Sequence, residues 1–435
     1  MQPTPAERPA PKTSGLDHLL RRTGVRSDRN GSGAAQAPNI VECHDCGLFQ
    51  TLPAAVPDRT YRCMRCEASF GCGIRPGDAA LALAMTSLVL FLLANTFPLL
   101  GINVAGRTQS VRLSSGVDGL AAHGLAPLGL FVLAISIIAP VGRVLGLGYV
   151  LVQLRRDRRP GHLAPVLRVA EKLQPWAMLD VFLIGALISL TKLHALAEIQ
   201  IGVGFWSLGL LVIALAAFEM TVDQRLLWAE LRAPPAISAT SGFVACGECG
   251  LVQDAGARCI RCGDGLHRRK PESLSRATAL VLTGLVLYIP ANLYPVMTVV
   301  SFGRRGSATI MGGVLELLSG SDWPLALIVF IASVAVPLLK LVGLAWLLIS
   351  TRIGLASRLK NRTRLYRLIE LVSRWSTVDI FVAALLTALV TLGNVATIEP
   401  GLGALAFGAV VFVTMLATDC FDPRLMWDVA GANNV

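Results

Sequence analysis

The chain has 435 residues, 54% of them hydrophobic and 15% charged, with a formal net charge of +11. Soluble globular domains are charged at about one residue in four, so this composition excludes an ordinary soluble enzyme. Nor does the excess base read as a nucleic-acid footprint. It gathers beside apolar segments, at Arg155, Arg156, Arg158 and Arg159 and again at Arg358, Lys360, Arg362, Arg364 and Arg367, the pattern of cytoplasmic loops in membrane proteins.

In chain order, residues 1–40 are rich in Pro, Ala, Gly, Ser and Arg and contain no apolar core segment, so a disordered cytoplasmic tail is expected there rather than a secretory signal. Residues 41–75 carry Cys43-x2-Cys46 and Cys63-x2-Cys66, and residues 233–270 carry Cys246-x2-Cys249 and Cys259-x2-Cys262. Tetrahedral zinc takes four soft thiolates, and two such knuckles supply them with the shell closed, which predicts two structural zinc ribbons of four cysteines each. Redox dithiols are the rival reading. The pairs come in matched sets, however, and no thioredoxin-like βαβ pattern surrounds them. Cys72 and Cys420 are left over, with no role assigned.

Apolar stretches near the ~20 residues a bilayer crossing needs occur at 79–100, 125–152, 176–197, 205–222, 277–299, 324–351, 375–397 and 401–418. They form two transmembrane modules of four helices, 76–232 and 271–428, followed by a short tail at 429–435. An even number of spans puts both termini on one side. The Arg clusters fall on that side too, which assigns it to the cytoplasm. The loops at 101–124 and 300–323 then face outwards as candidates for short β-structure or partner contact. Segments 163–174 and 357–374 have helical periodicity and stand either as helices lying in the interface or as solvated connectors.

An internal repeat fixes this architecture independently. Asn95, Pro98, Pro127 and Pro140 recur as Asn292, Pro295, Pro324 and Pro337, all at an offset of 197. Trp176, Asp180, Phe182, Gly202, Asp223, Arg225 and Trp228 recur as Trp375, Asp379, Phe381, Gly401, Asp422, Arg424 and Trp427, at an offset of 199. Each half has an even number of spans, so the repeats are parallel. The expected fold is a membrane all-α protein with small β zinc ribbons, each tandem repeat joining one ribbon to four spans.

Ionisable groups inside spans are costly and mark candidate sites. Arg143 and Lys340 hold equivalent places in the second span of each copy, and Asp180 and Asp379 lie one turn into the third. Comparable depths predict Arg143–Asp180 and Lys340–Asp379 ion pairs. Ser333 and Ser376 share helix faces with the charges of the second copy, and Thr414 of the last span completes the cluster. A desolvated lysine can lose its proton where arginine effectively cannot, which makes the second copy the candidate for proton-coupled switching. Helix pinning by the charge pairs is the plain alternative.

These motifs resemble the paraquat-inducible protein A family over roughly residues 40–428. The resemblance rests on the doubled Cys-x-x-Cys ribbons, Asn95-Thr96-Phe97-Pro98 and Asn292-Leu293-Tyr294-Pro295, the Trp-x-x-x-Asp-x-Phe segments from Trp176 and Trp375, and the Asp-x-Arg-x-x-Trp ends from Asp223 and Asp422. It implies a multi-pass protein of a Gram-negative inner membrane that moves phospholipid with a periplasm-spanning MCE-domain tunnel partner. It also implies a polar network at Ser333, Lys340, Ser376, Asp379 and Thr414; Arg143 in place of the lysine makes proton exchange in the first copy doubtful. No nucleotide-binding fingerprint is present, no nucleophile, base and oxyanion donor converge, and no nucleic-acid partner is expected. The alternatives are a zinc-ribbon redox or metal stress sensor and a passive anchor for the MCE partner.

Overall fold

The computed structural model describes residues 39–52, 60–72, 77–104, 107–194, 198–232, 243–301, 304–319, 323–389 and 396–431. Nearly all of the tail expected over 1–40 lies outside the described residues. So do residues 432–435 of the second tail.

The first ribbon has hairpins β1 (Asn39–Glu42)–β2 (Phe49–Leu52) and β3 (Thr60–Arg62)–β4 (Ser69–Cys72). The first module follows. Helix α1 (Asp78–Thr96) leads to β5 (Leu100–Val104) and β6 (Arg107–Val111), then to α2 (Ser115–Ala122). Helix α3 (Ala126–Leu133) runs through a π-helical turn, Ala134–Ile138, into α4 (Ala139–Arg155), and α5 (Leu163–Lys172) precedes α6 (Leu179–His194). Strand β7 (Glu198–Ile201), α7 (Val203–Thr221) and α8 (Gln224–Leu231) close the module.

The second copy repeats this order. Its ribbon has β8 (Phe243–Ala245) and β9 (Val252–Asp254), and its module begins with α9 (Ser273–Leu293), β10 (Met297–Ser301), β11 (Arg304–Ala308) and α10 (Ile310–Ser319). Helix α11 (Trp323–Phe330) passes through a second π turn, Ile331–Ala335, into α12 (Val336–Arg352). Then come α13 (Leu359–Trp375), α14 (Val378–Leu389), β12 (Ala396–Pro400), α15 (Leu402–Cys420) and α16 (Arg424–Val429). Among the described residues, eight helical segments are long and apolar enough to cross a membrane. A 19-residue helix such as α1 is about 28 Å long, close to the ~30 Å hydrocarbon layer.

In each module the hairpin after the first span pairs with the strand before the fourth span to form a three-stranded antiparallel sheet, in the orders β6-β5-β7 and β11-β10-β12, at the end of the spans opposite the ribbons. The Asn-x-x-Pro segments end α1 and α9. Proline forbids continuation, and Asn95 and Asn292 donate back to the carbonyls of Phe91 and Tyr288 at 3.0 and 2.9 Å. The fourth span of each module starts against that corner. Gly202 donates to Leu99 O at 3.0 Å and Gly401 to Val296 O at 2.8 Å, and a Cβ on either would strike the carbonyl of Pro98 or Pro295. The two π turns sit at repeat-equivalent positions just before Pro140 and Pro337, where a ring without an N–H cannot join a regular α ladder.

The modules meet along α6 and α14 about a pseudo-two-fold axis, because repeat-equivalent residues touch one another there. Phe182 and Phe381 pack edge to face with centroids 5.1 Å apart, and Thr377 Oγ1 donates to Met178 Sδ at 3.5 Å. Helix α2 breaks this symmetry: its Gly116 and Gly119 lie against Ala384 and Ala388 of α14, whereas its counterpart α10 packs on α11 and β11 of its own module.

Segments 163–174 and 357–374 fit neither sequence expectation fully. Helices α5 and α13 fold back along the second spans, with Ala170 beside Gly146 and Ile369 beside Gly343, and their other flank carries a ribbon. The ribbons are crossed. The first is buried with Leu344, Tyr366 and Trp427 of the second module, and the second ribbon with Leu147, Leu167 and Trp228 of the first.

Candidate metal centres and charged groups inside the spans

In the first ribbon the Cys43 and Cys66 sulfurs lie 3.5 Å apart, as do those of Cys46 and Cys63. In the second, Cys246 and Cys262 are 3.5 Å apart and Cys249 and Cys259 3.6 Å. Within each set the four sulfurs lie within 4.8 Å of one another, and all eight thiols are buried. A tetrahedron with bonds of about 2.3 Å has edges of about 3.8 Å, so both sets fit one thiolate-bound metal ion each. Gly47, Gly250 and Gly263 adopt positive φ in the knuckle turns, which is why glycine recurs there. Cys420 is partly exposed and lies outside both sets, and the side chain of Cys72 is outside the described residues.

The crossing is held by repeat-equivalent arginines. Arg367 of α13 binds Asp45 at 2.6 Å, the Cys66 carbonyl at 3.1 Å and Cys66 Sγ at 3.2 Å. Arg168 of α5 donates to the Cys262 carbonyl and pairs with Asp264 at 3.2 Å. Lys172 adds Glu248 at 3.1 Å, and Arg364 adds Glu67 at 3.0 Å. The hydrogen bond from Arg364 and the nearby charge of Lys360 hold the Glu67 carboxyl below its usual range. Glu42 accepts from Arg269 at 2.9 Å and faces Arg424 at 3.4 Å, yet burial outweighs both cations and pushes its carboxyl up. The Asp-x-Arg-x-x-Trp ends complete the seat. Asp223 caps α8 through Arg225 N, Asp422 holds Arg424 and Lys270 N, and Trp228 and Trp427 donate to Glu171 and Thr363.

Inside the spans, Arg143 is hydrogen-bonded to Glu219 of α7, so the expected Arg143–Asp180 pair is replaced by a contact between the second and fourth spans. Lys340 is 2% exposed and its Nζ has no hydrogen-bond partner among the described residues. The expected hydrogen bond from Lys340 to Asp379 is therefore not made, and Asp419 of the fourth span lies near enough for its charge to reach the ammonium. Ser333 lies buried within the π turn, Ser376 is buried just ahead of α14, Thr414 is buried on α15, and Asp379 is half-buried in the first turn of α14. These elements pack on one another. Tyr288 Oη donates to the π-turn carbonyl of Val334 at 3.3 Å, where the first module has Phe91.

Glu219, Asp419 and Arg374 were missed in the sequence. Glu219 aligns with Thr418, Asp419 with Met220 and Arg374 with Pro175, so a search for charges shared by both repeats passes over them. A lone carboxylate inside the apolar run of α7 was the available signal.

Fold and sites together define a multi-pass membrane protein of two parallel repeats, each coupling a four-cysteine ribbon that could hold a metal ion to a four-span module. The chain belongs to the paraquat-inducible protein A family, whose model matches residues 78–232 and 274–430. It is 35% identical over 407 residues to the Intermembrane transport protein PqiA of Escherichia coli K12, covering 90% of this chain and 96% of that protein. It is 32% identical over 400 residues to the Lipophilic envelope-spanning tunnel protein A of the same strain, covering 90% and 92%. A Probable intermembrane transport protein of Haemophilus influenzae is 25% identical over 404 residues, covering 90% and 96%. No solved structure matches the chain.

Proposed function

We propose that this protein is the inner-membrane component of an intermembrane lipid transport system, passing phospholipid between its spans and a periplasm-spanning MCE-domain partner. The names of its relatives support the transport class. The observation that carries a working rather than an anchoring role is Lys340. An ammonium buried in an apolar span without a hydrogen-bond partner among the described residues is costly to keep, and such groups serve ion or substrate movement. Proton exchange on Lys340, within a cluster that includes Ser333, Ser376, Asp379 and Thr414, is the proposed switch. The Arg clusters at 153–159 and 352–367 support a cytoplasmic ribbon face, with the two sheets on the periplasmic side as the proposed docking site of the partner. Zinc is the proposed metal of both ribbons. Their buried, closed thiolate sets favour a structural role over sensing. No catalytic activity is assigned.

The test is growth under envelope stress in a host lacking this chain. Lys340→Ala and Asp379→Asn are expected to abolish protection at normal protein level and zinc content. Full protection by both variants would leave the charges only a helix-pinning role.

A further inference from the structure

A cavity of about 120 Å³ lies on the ribbon side of the first module among α4, α6 and α7, and Arg374 of α13 reaches it from the second module. That volume is several times the ~10–15 Å³ one water needs. Val144, Val212 and Leu215 give it apolar walls, and its ionisable groups are Arg143, Arg374, Asp180 and Glu219. Arg143 is 7% exposed; Nη1 donates to Glu219, and Nε has no partner among the described residues. The two carboxylates are exposed. Asp180 is in the first turn of α6 and Glu219 in the last turn of α7, so both stand at the rim where the spans meet the headgroup layer. Glu219 already has Arg143 as its cation, Asp180 makes no ion pair among the described residues, and a buried guanidinium with a spare N–H suits a phosphodiester.

We infer that this cavity takes the headgroup of a zwitterionic phospholipid from the ribbon-side leaflet, its phosphodiester against Arg143 and Arg374 and its ammonium against Asp180 and Glu219. Phosphatidylethanolamine has that chemistry. Two guanidiniums and two carboxylates sum to zero, so a neutral zwitterion leaves the site balanced, whereas an anionic lipid or free phosphate brings uncompensated charge into a low-dielectric wall. Pro175 holds the place of Arg374 in the first copy, so the guanidinium is offered across the module boundary in one direction only. The inference rests on the spans lying in a bilayer and not on the transport reading.

The test is native mass spectrometry of the full chain with phosphatidylethanolamine, phosphatidylglycerol, glycerophosphoethanolamine or inorganic phosphate added. The variants are Arg374→Gln and Ala216→Trp, the latter filling the mouth without touching a charge. Phosphatidylethanolamine is expected to stay bound at energies that strip phosphatidylglycerol. Each variant is expected to cut its retention about tenfold, the scale of one charge-assisted hydrogen bond, at unchanged melting temperature and metal content. Equal retention of the two lipids would overturn the inference, as would retention unaffected by Ala216→Trp. Displacement by millimolar phosphate or glycerophosphoethanolamine would do the same, by assigning the site to a soluble phosphate. Should Arg374→Gln fail to fold, the Ala216→Trp arm decides.

Discussion

Crossed ribbons make a prediction that a side-by-side arrangement does not: a substitution in the second module weakens the metal site of the first ribbon. In Arg367→Ala, Asp45 loses its 2.6 Å partner while remaining 4% exposed, and Cys66 loses donors to its carbonyl and its sulfur. Stranding one member of a buried ion pair costs ~3–5 kcal/mol. Arg367 is itself 30% exposed and His44 still faces Asp45 at 3.2 Å, so about 2 kcal/mol is a fairer figure. That makes the undocked first ribbon about thirtyfold more populated. Metal release to a chromogenic chelator is the assay. Half of the bound metal is expected to leave about thirtyfold faster than in the unsubstituted chain, and the other half at the original rate. Repeating it on a Cys259→Ser background, which keeps only the first site, assigns the fast half. If the fast phase disappears on that background, or both halves accelerate together, the crossed seating is refuted.

Arg168→Ala is expected to give the mirror result, loosening the second ribbon alone, read by the same chelator assay on a Cys43→Ser background. Phe381→Ala removes the fully buried ring that meets Phe182 at the module boundary and is expected to cost about 3–5 kcal/mol, measured as a lowered thermal midpoint. Gly401→Ala drives a Cβ into the Pro295 carbonyl and is expected to abolish accumulation of folded protein, whereas Gly209→Ala, with open space around it, leaves the midpoint unchanged by size-exclusion and melting assays. Elemental analysis is expected to find two metal ions per purified chain and one in Cys259→Ser.

Much of the architecture was legible in the residues because its signals are local. Hydropathy runs mark the spans, Cys-x-x-Cys spacing marks the knuckles, and the register shared by Trp176 and Trp375 or Asp223 and Asp422 marks the repeat. What was not legible depends on helix rotation and on long-range choice. Depth alone matched Arg143 with Asp180, but the rotation of α4 turns the guanidinium towards α7, and Glu219 takes it. The same logic matched Lys340 with Asp379, to which its ammonium makes no hydrogen bond. A ribbon motif likewise says nothing about which module seats it. The equivalence of Arg168 and Arg367 was visible in the register, but Arg367 lies in a cluster of base that reads equally well as a mark of membrane orientation, and Arg168 stands apart from the other such cluster. The π turns were hidden for a simpler reason: Pro140 and Pro337 announce a disturbed ladder without saying how it is relieved.

The crossed seating also imposes an order of events on biosynthesis. The first knuckle can be metallated as soon as Cys66 leaves the ribosome, but its seat is complete only with Trp427, about 360 residues later. At ~5–20 residues per second the first ribbon waits roughly 20–70 s unsheltered, while the second finds its seat already inserted. The nascent chain is therefore most exposed to metal theft and thiol oxidation at its oldest cysteines, and membrane insertion of the last span is the event that shelters them.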